Sequence, residues 1–319
     1  MGRKRRMKDL ESNSKAREDK QDSAQDSILI IAWTAMFFAS SFTIIVWREM
    51  ISPEPFWWSW INAGVLVALV VISTLYVPAR SIWRYSAVLT IIFFFGFGGG
   101  WTFGLVPSIR NSSQWTTWLA TVPVPLDSLA VHLLRLTPAL AIIIFLFATG
   151  REREDFFLIK GQPSADAEPS KLLGMKQPEP WPRIARNFAV VFVVFTVLFL
   201  VLAYSPSLEQ LVNALPLLPV ALLIAAINAF NEEFTLRAAP LSELKSGVGK
   251  TQALIITSLY FGMGHYYGIP NGIIGVALSA FLGYFLGKSM IETKGFVWAW
   301  FIHFLPDISI FYFLLAMSM

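Results

Sequence analysis

The apolar positions of this chain gather into runs of about 20 residues, the length at which an α-helix crosses a hydrocarbon core of about 30 Å. Nine such runs can be drawn, approximately over 28–47, 56–77, 86–106, 126–148, 188–204, 211–238, 251–268, 271–287 and 296–317. The pattern predicts an all-α fold, a polytopic transmembrane helix bundle of about nine membrane spans. Residues 1–27 break the pattern: they hold eight Lys or Arg, beginning Arg3, Lys4, Arg5 and Arg6, with no apolar periodicity. They are expected to form a disordered basic cytoplasmic tail. The longest polar connection, 150–186, is rich in Pro, Lys and Glu and contains Gln177-Pro178-Glu179-Pro180-Trp181-Pro182. It reads as a cytoplasmic linker between a four-helix region, 28–149, and a C-terminal region, 187–319.

Small residues recur every four positions in two of the runs. Gly96, Gly100 and Gly104 mark the third, and Gly275, Ser279, Gly283 and Gly287 mark the eighth. Such stripes predict close helix packing.

Composition strengthens the membrane reading. Hydrophobic residues make up 55% of the chain and charged ones only 14%, against about 25% charged in soluble domains. Tryptophans gather near segment ends, as at Trp57, Trp58 and Trp60, Trp115 and Trp118, or Trp298 and Trp300. There an indole buries its ring and keeps its N–H hydrated. The chain has no cysteine, which excludes disulfides, thiolate metal sites and a Cys nucleophile together.

The net charge of +4 points to orientation in a membrane rather than to nucleic acid, because the basic residues alternate between connections. One side collects the tail, then Arg80 and Arg84, then Arg151, Arg153, Lys160, Lys171, Lys176, Arg183 and Arg186, then Lys245 and Lys250, then Lys288 and Lys294. The other carries little beyond Arg48 and Arg110. This predicts an integral protein of the plasma (inner) membrane, with the N-terminus cytoplasmic and the C-terminus outside. The lipid bilayer is its expected surrounding partner, and no nucleic-acid partner is expected.

Charge inside such helices is costly, about 2.5 to 3.5 kcal/mol per residue on insertion scales, so it persists where it has a partner or a task. It is concentrated here in three segments: Asn228-Ala229-Phe230-Asn231-Glu232-Glu233-Phe234-Thr235-Leu236-Arg237, Phe261-Gly262-Met263-Gly264-His265, and His303-Phe304-Leu305-Pro306-Asp307. Glu233 and Arg237 are four apart, the spacing of an intrahelical ion pair. Glu232 lies about 100° round the helix and is expected to be the carboxylate without a basic partner in its own turn. His303 and Asp307 share a face for the same reason.

If the sixth helix runs on through Pro240 to a turn near Gly247 and Gly249, Glu232 and His265 stand at matching heights on an antiparallel pair. A Glu and a neutral His converging in a low-dielectric pocket can share the deprotonation of a water. His132, beside Asp127 and Arg135, reads as an interfacial residue instead.

In order and spacing, the Glu-Glu-x-x-x-Arg, Phe-x-x-x-His and His-x-x-x-Asp elements resemble the CAAX protease and bacteriocin-processing family of intramembrane glutamic-type proteases, related to the Ras-converting prenyl endopeptidase. The resemblance covers approximately 187–319 and implies a membrane-embedded endopeptidase acting on a prenylated or other membrane-associated peptide or protein. It further implies that Glu232 activates the hydrolytic water with help from His265, and that Glu233 and Arg237 hold the helix geometry. His303 and Asp307 would stabilise the oxyanion or orient the scissile carbonyl. Two positions depart from the family pattern: Ala238 where Gly is frequent, and Asp307 where Asn is frequent. An ionised Asp accepts and does not donate, so Asp307 is either protonated or serves to orient His303.

No cofactor is expected. Zinc is the competing reading, since two His with carboxylates could bind it tetrahedrally, but the chain has no His-Glu-x-x-His motif. Rival functions are a proton-coupled transporter using the same buried Glu and His, and a non-catalytic membrane scaffold or immunity protein. The pattern leaves the oligomeric state open.

Overall fold

The computed structural model describes residues 22–51, 53, 55–96, 103–268 and 270–318. Residues 1–21 of the expected tail therefore lie outside the described residues, and 22–27 open helix α1, Asp22–Ala39. There follow α2 (Phe42–Met50), α3 (Trp58–Leu75), a 3₁₀ turn (Val77–Ile82), α4 (Trp83–Phe95), α5 (Leu105–Arg110), α6 (Ser113–Leu119), α7 (Val124–Leu134) and α8 (Leu136–Ala148). After a mostly non-helical segment come α9 (Trp181–Tyr204), α10 (Leu208–Asn213) and α11 (Leu218–Glu233). The chain ends with α12 (Ala239–Val248), α13 (Lys250–Met263), α14 (Gly272–Thr293) and α15 (Val297–Met317). The chain is an all-α, polytopic membrane protein.

The expected count of nine spans is not reached. Among the described residues six helices are long and apolar enough to cross a membrane: α3, Val124–Ala148, α9, Leu215–Val248, α14 and α15. A seventh results if α1 and α2, bent by 59° against each other, form one broken span. At that bend the Ser40 hydroxyl donates to the Phe37 carbonyl at 3.1 Å and accepts from the Phe42 N–H at 3.2 Å, diverting backbone groups from the helical ladder. The other two runs are apolar along their length but do not stay helical. α4 stops at Phe95 because Gly96 turns to φ +70, a conformation open to glycine at little cost. α13 has 14 residues and ends before His265.

Gly96 ends α4 and Gly104 precedes α5, and a methyl group at Gly104 would meet the Gly96 N at 2.7 Å, so the two approach each other rather than lining one helix face; Gly100 lies outside the described residues. The stripe on α14 does pack. A methyl group at Gly283 would press on the Ser258 backbone at 3.2 Å, and one at Gly287 would meet Leu254 at 2.9 Å. Glycine here lets α13 and α14 approach closely.

The outward faces are apolar. Val190, Val194, Phe195, Leu198 and Leu202 of α9, with Ile273, Ile274 and Leu278 of α14, are all exposed. Patches of this kind suit a hydrocarbon surrounding. Inside, α11 packs on α15 and α7, α13 on α14 and α12, and α15 on α9, while α12 also leans on α4 and the 3₁₀ turn.

Pro240 lies inside the longest helical stretch without ending it. A proline removes one N–H and crowds the carbonyl four residues earlier. The chain accommodates it by widening: Phe234–Ala238 form a π-turn, and the Ala239 N–H reaches back five residues to the Phe234 carbonyl. α11, π-turn and α12 then run on to Val248, where Gly249 at φ +80 reverses the chain into α13.

The connection at 150–180 is fastened along its length. Strand β1 (Asp166–Ala167) pairs antiparallel with β2 (Glu179–Pro180). The Gln162 N–H donates to the Thr293 carbonyl at 2.6 Å and the Phe296 N–H to the Ile159 carbonyl at 2.9 Å. Trp298 Nε1–H donates to the Pro163 carbonyl at 2.7 Å. The Glu292 carboxylate, paired with Lys288, accepts from the Trp181 indole at 3.0 Å and the Glu168 N–H at 3.3 Å. The segment is thereby pinned to the turn between α14 and α15.

α9 has 24 residues, about 36 Å at 1.5 Å per residue, enough to carry Lys160 and Ser207 to opposite sides of a bilayer. Single cysteines introduced at these positions, in a chain with no native cysteine, are expected to react with an impermeant maleimide from opposite faces of sealed vesicles. Labelling of both from one face would overturn this arrangement.

Candidate active site

The three polar segments meet beside the π-turn. Glu232 and Glu233 are the last two residues of α11 and lie close to the middle of Leu215–Val248. His265 follows the end of α13, and His303 and Asp307 sit one turn apart on α15. Trp300 Nε1–H, bonded to the Ala226 carbonyl at 3.1 Å, ties α15 to α11 next to them. At the far end Tyr312 donates to the Leu211 carbonyl.

The two neighbouring glutamates divide between a sealed side and an open side. Glu233 is fully buried, forms an ion pair with the equally buried Arg237, and accepts from His303 Nδ1 at 2.7 Å on its other oxygen. The Arg237 guanidinium lies 4.3 Å over the Phe261 ring, a cation–π contact that suits a desolvated cation. Gly283 and Gly287 leave room for its side chain. The spacing-based ion pair of the sequence is thus present, and it also locates a histidine from another helix.

Glu232 is 11% exposed and turns to the other cluster. Its Oε2 lies 3.9 Å from His265 Nε2 and 3.7 Å from His303 Nε2. His265 Nδ1 donates to the Phe261 carbonyl at 3.0 Å. Since a carbonyl only accepts, a neutral His265 presents the lone pair of Nε2 to Glu232. A separation of 3.9 Å is long for a direct bond and admits one water held by both groups at about 2.8 Å.

Asp307 Oδ1 is 3.7 Å from His303 Nε2, and its Oδ2 accepts from Asn228 Nδ2 at 3.0 Å. The Asn228 contact uses it as an acceptor. All six residues singled out from the sequence are therefore gathered in one place: Glu232, His265, His303 and Asp307 around a common space, with Glu233 and Arg237 behind them.

Glu232 has no basic partner in its own turn, but Arg135, at the junction of α7 and α8, donates to its Oε1 at 3.3 Å and to Asn228 Oδ1 at 3.3 Å. The sequence alone makes His132, beside Asp127 and Arg135, an interfacial residue. The signal for Arg135 was its position within the apolar run 126–148, where an arginine needs a partner. His132 is buried rather than interfacial: its ring packs edge-on against Phe311 at 4.8 Å, its Nδ1 donates to the Ser128 carbonyl at 2.7 Å, and its own carbonyl accepts from Asn231 Nδ2 at 3.1 Å.

Fold and site together define a helical membrane protein with a glutamate–histidine centre inside its bundle. Residues 213–309 match the model of the type II CAAX prenyl endopeptidase Rce1-like family. Over this segment, less than a third of the chain, the sequence is similar to that protease family. No curated protein and no solved structure matches the chain significantly. The matched segment contains all six residues named above and excludes Arg135.

The buried pair behind the site yields a stability test. Replacing Glu233 by Gln strands the Arg237 charge among apolar helices and removes a charged acceptor from His303. Breaking a buried pair on one side typically costs about 3 to 5 kcal/mol. Thermal unfolding in detergent is expected to show Glu233→Gln strongly destabilised and Glu232→Gln much less so. Equal melting temperatures for the two would contradict this division.

Proposed function

We propose that the chain is an intramembrane endopeptidase that hydrolyses a peptide bond of a prenylated or other membrane-associated peptide with a water activated by Glu232 and His265. The observation that carries the reading is the facing of Glu232 Oε2 and His265 Nε2 across a gap of one water, within a segment matching a protease family. Glu232 takes a proton from that water while His265 holds the oxygen in line. The resulting hydroxide attacks the scissile carbonyl, and the proton passes to the departing amine as the C–N bond breaks. General acid–base help of this kind is worth about 10² to 10⁴ in rate.

His303 gives its Nδ1 proton to Glu233, so a donor to the developing oxyanion is the second proton, on Nε2, when the ring is imidazolium. Asp307, accepting from Asn228 and facing His303 Nε2, is assigned to orienting these groups rather than to donating. Glu233 and Arg237 fix the height of the histidine. Among the described residues no three His, Asp or Glu side chains stand in a metal-holding arrangement, and the reaction is written with water alone. The proposed setting is a plasma (inner) membrane with the basic connections, Arg151 to Arg186 and Lys245 to Lys250 among them, in the cytoplasm.

The test uses purified protein in proteoliposomes with a farnesylated C-terminal CAAX-motif peptide and, in parallel, an unprenylated membrane-anchored peptide, with products read by mass spectrometry. Cleavage is expected for the wild type and a loss of at least about 100-fold for Glu232→Gln and His265→Ala, both folded. An active Glu232→Gln would overturn the mechanism. Cleavage is also expected to persist in a strong chelator; loss of activity that zinc at one equivalent restores would replace this mechanism with a metal-dependent one.

A further inference from the structure

Arg135 reaches the site from outside the matched segment, and the local sequence explains how. Pro138 has no N–H, so the Leu134 carbonyl loses the partner it would have in a regular helix. The Thr137 hydroxyl takes that place, donating to Leu134 at 2.8 Å. The helix breaks at Arg135, the single residue between α7 and α8. One turn earlier, the His132 carbonyl is held from α11 by Asn231 at 3.1 Å. The break is thereby fixed against α11 on the side where Asn228 and Glu232 stand.

The two contacts made from this break divide the polar atoms of the site. Arg135 occupies Oε1 of Glu232 and Oδ1 of Asn228. That leaves Glu232 Oε2 for the two histidines and Asn228 Nδ2 for Asp307. Its side chain is 20% exposed and that of His265 33%, whereas Glu233 and Arg237 are fully buried, so Arg135 belongs to the open side of the site.

We propose that Arg135 is a positioning residue that fixes the rotamer of Glu232 and the amide orientation of Asn228, so that the N-terminal helices complete the site of the C-terminal ones. The inference rests on the protease reading above. A carboxylate on a flexible stem has several rotamers within reach, and a displacement of about 1 Å in a reacting group can lower a rate about 100-fold. Fixing Asn228 acts on Asp307, and through it on His303, by the same route.

The experiment compares wild type, Arg135→Ala, Arg135→Lys and Arg135→Ala/Glu232→Gln in the proteoliposome assay and in thermal unfolding. Arg135→Ala is expected to lower kcat about 100-fold with KM little changed. Guanidinium at non-denaturing concentration should restore part of the loss, and Arg135→Lys should retain an intermediate rate. The double variant should melt no lower than Arg135→Ala, because each partner loses its reason for the other. A raised KM with kcat preserved would make Arg135 a substrate-binding group and overturn the inference, as would additive losses of stability in the double variant or a loss of rate that neither guanidinium nor lysine relieves. The two readings fail separately. A wild-type chain that cleaves none of the peptides overturns the protease reading and the role of Arg135 with it; an Arg135→Ala variant as fast as a cleaving wild type overturns the role of Arg135 alone.

Discussion

A fully buried arginine in an apolar bundle is the constraint from which much of this architecture follows. Arg237 needs an anion, and Glu233 supplies it one turn away. It needs a polarisable surface, and the Phe261 ring lies beneath it. It also needs space, which the small residues Gly283 and Gly287 provide on the facing helix. Each requirement draws in a different element, so α11, the π-turn, α13 and α14 converge on one side chain. Glu233 then has an oxygen left over, and His303 brings α15 to it. The electrostatic need of one residue thus assembles the frame in which Glu232, His265 and Asp307 find their places.

The composition of this centre has two layers. Towards Arg237 the groups are saturated: charge meets charge and exposure is nil. Towards Glu232 the contacts lengthen to between 3.3 and 3.9 Å and exposure rises. A tight layer holding a looser one suits the hydrolysis proposed for this site, in which the looser groups would admit a water and a peptide without the helices shifting.

The gathering of the candidate residues was legible in the sequence because helical spacing is a geometric rule. Glu233 and Arg237, and His303 and Asp307, lie four apart, and such pairs share a face in any α-helix. The continuation through Pro240 was legible as well, although the π-turn that makes it possible was not. The span count failed at α4 and α13 because hydropathy reports whether a run is apolar and says little about whether its backbone stays helical; Gly96 and Gly264 end helices inside apolar sequence. Arg135 was missed for a different reason. Its partners lie 93 and 97 positions away, and no local periodicity links residues at that distance.

The π-turn at Phe234–Ala238 gives the long helix a phase. Because the Ala239 N–H reaches back five residues instead of four, one residue more is threaded into this turn than an α-helix would take. That residue acts as an angular offset of about 100° between the part of the helix bearing Glu232 and the part that leans on α4 and the 3₁₀ turn. Chemistry and docking are read from the same rod at different azimuths. The same sequence wound as an unbroken α-helix would keep composition, hydropathy and every motif residue in order, yet it would turn a face about 100° away towards α4 and the 3₁₀ turn. In this chain the position of a residue along the helix therefore matters less than the angle at which the turn delivers it.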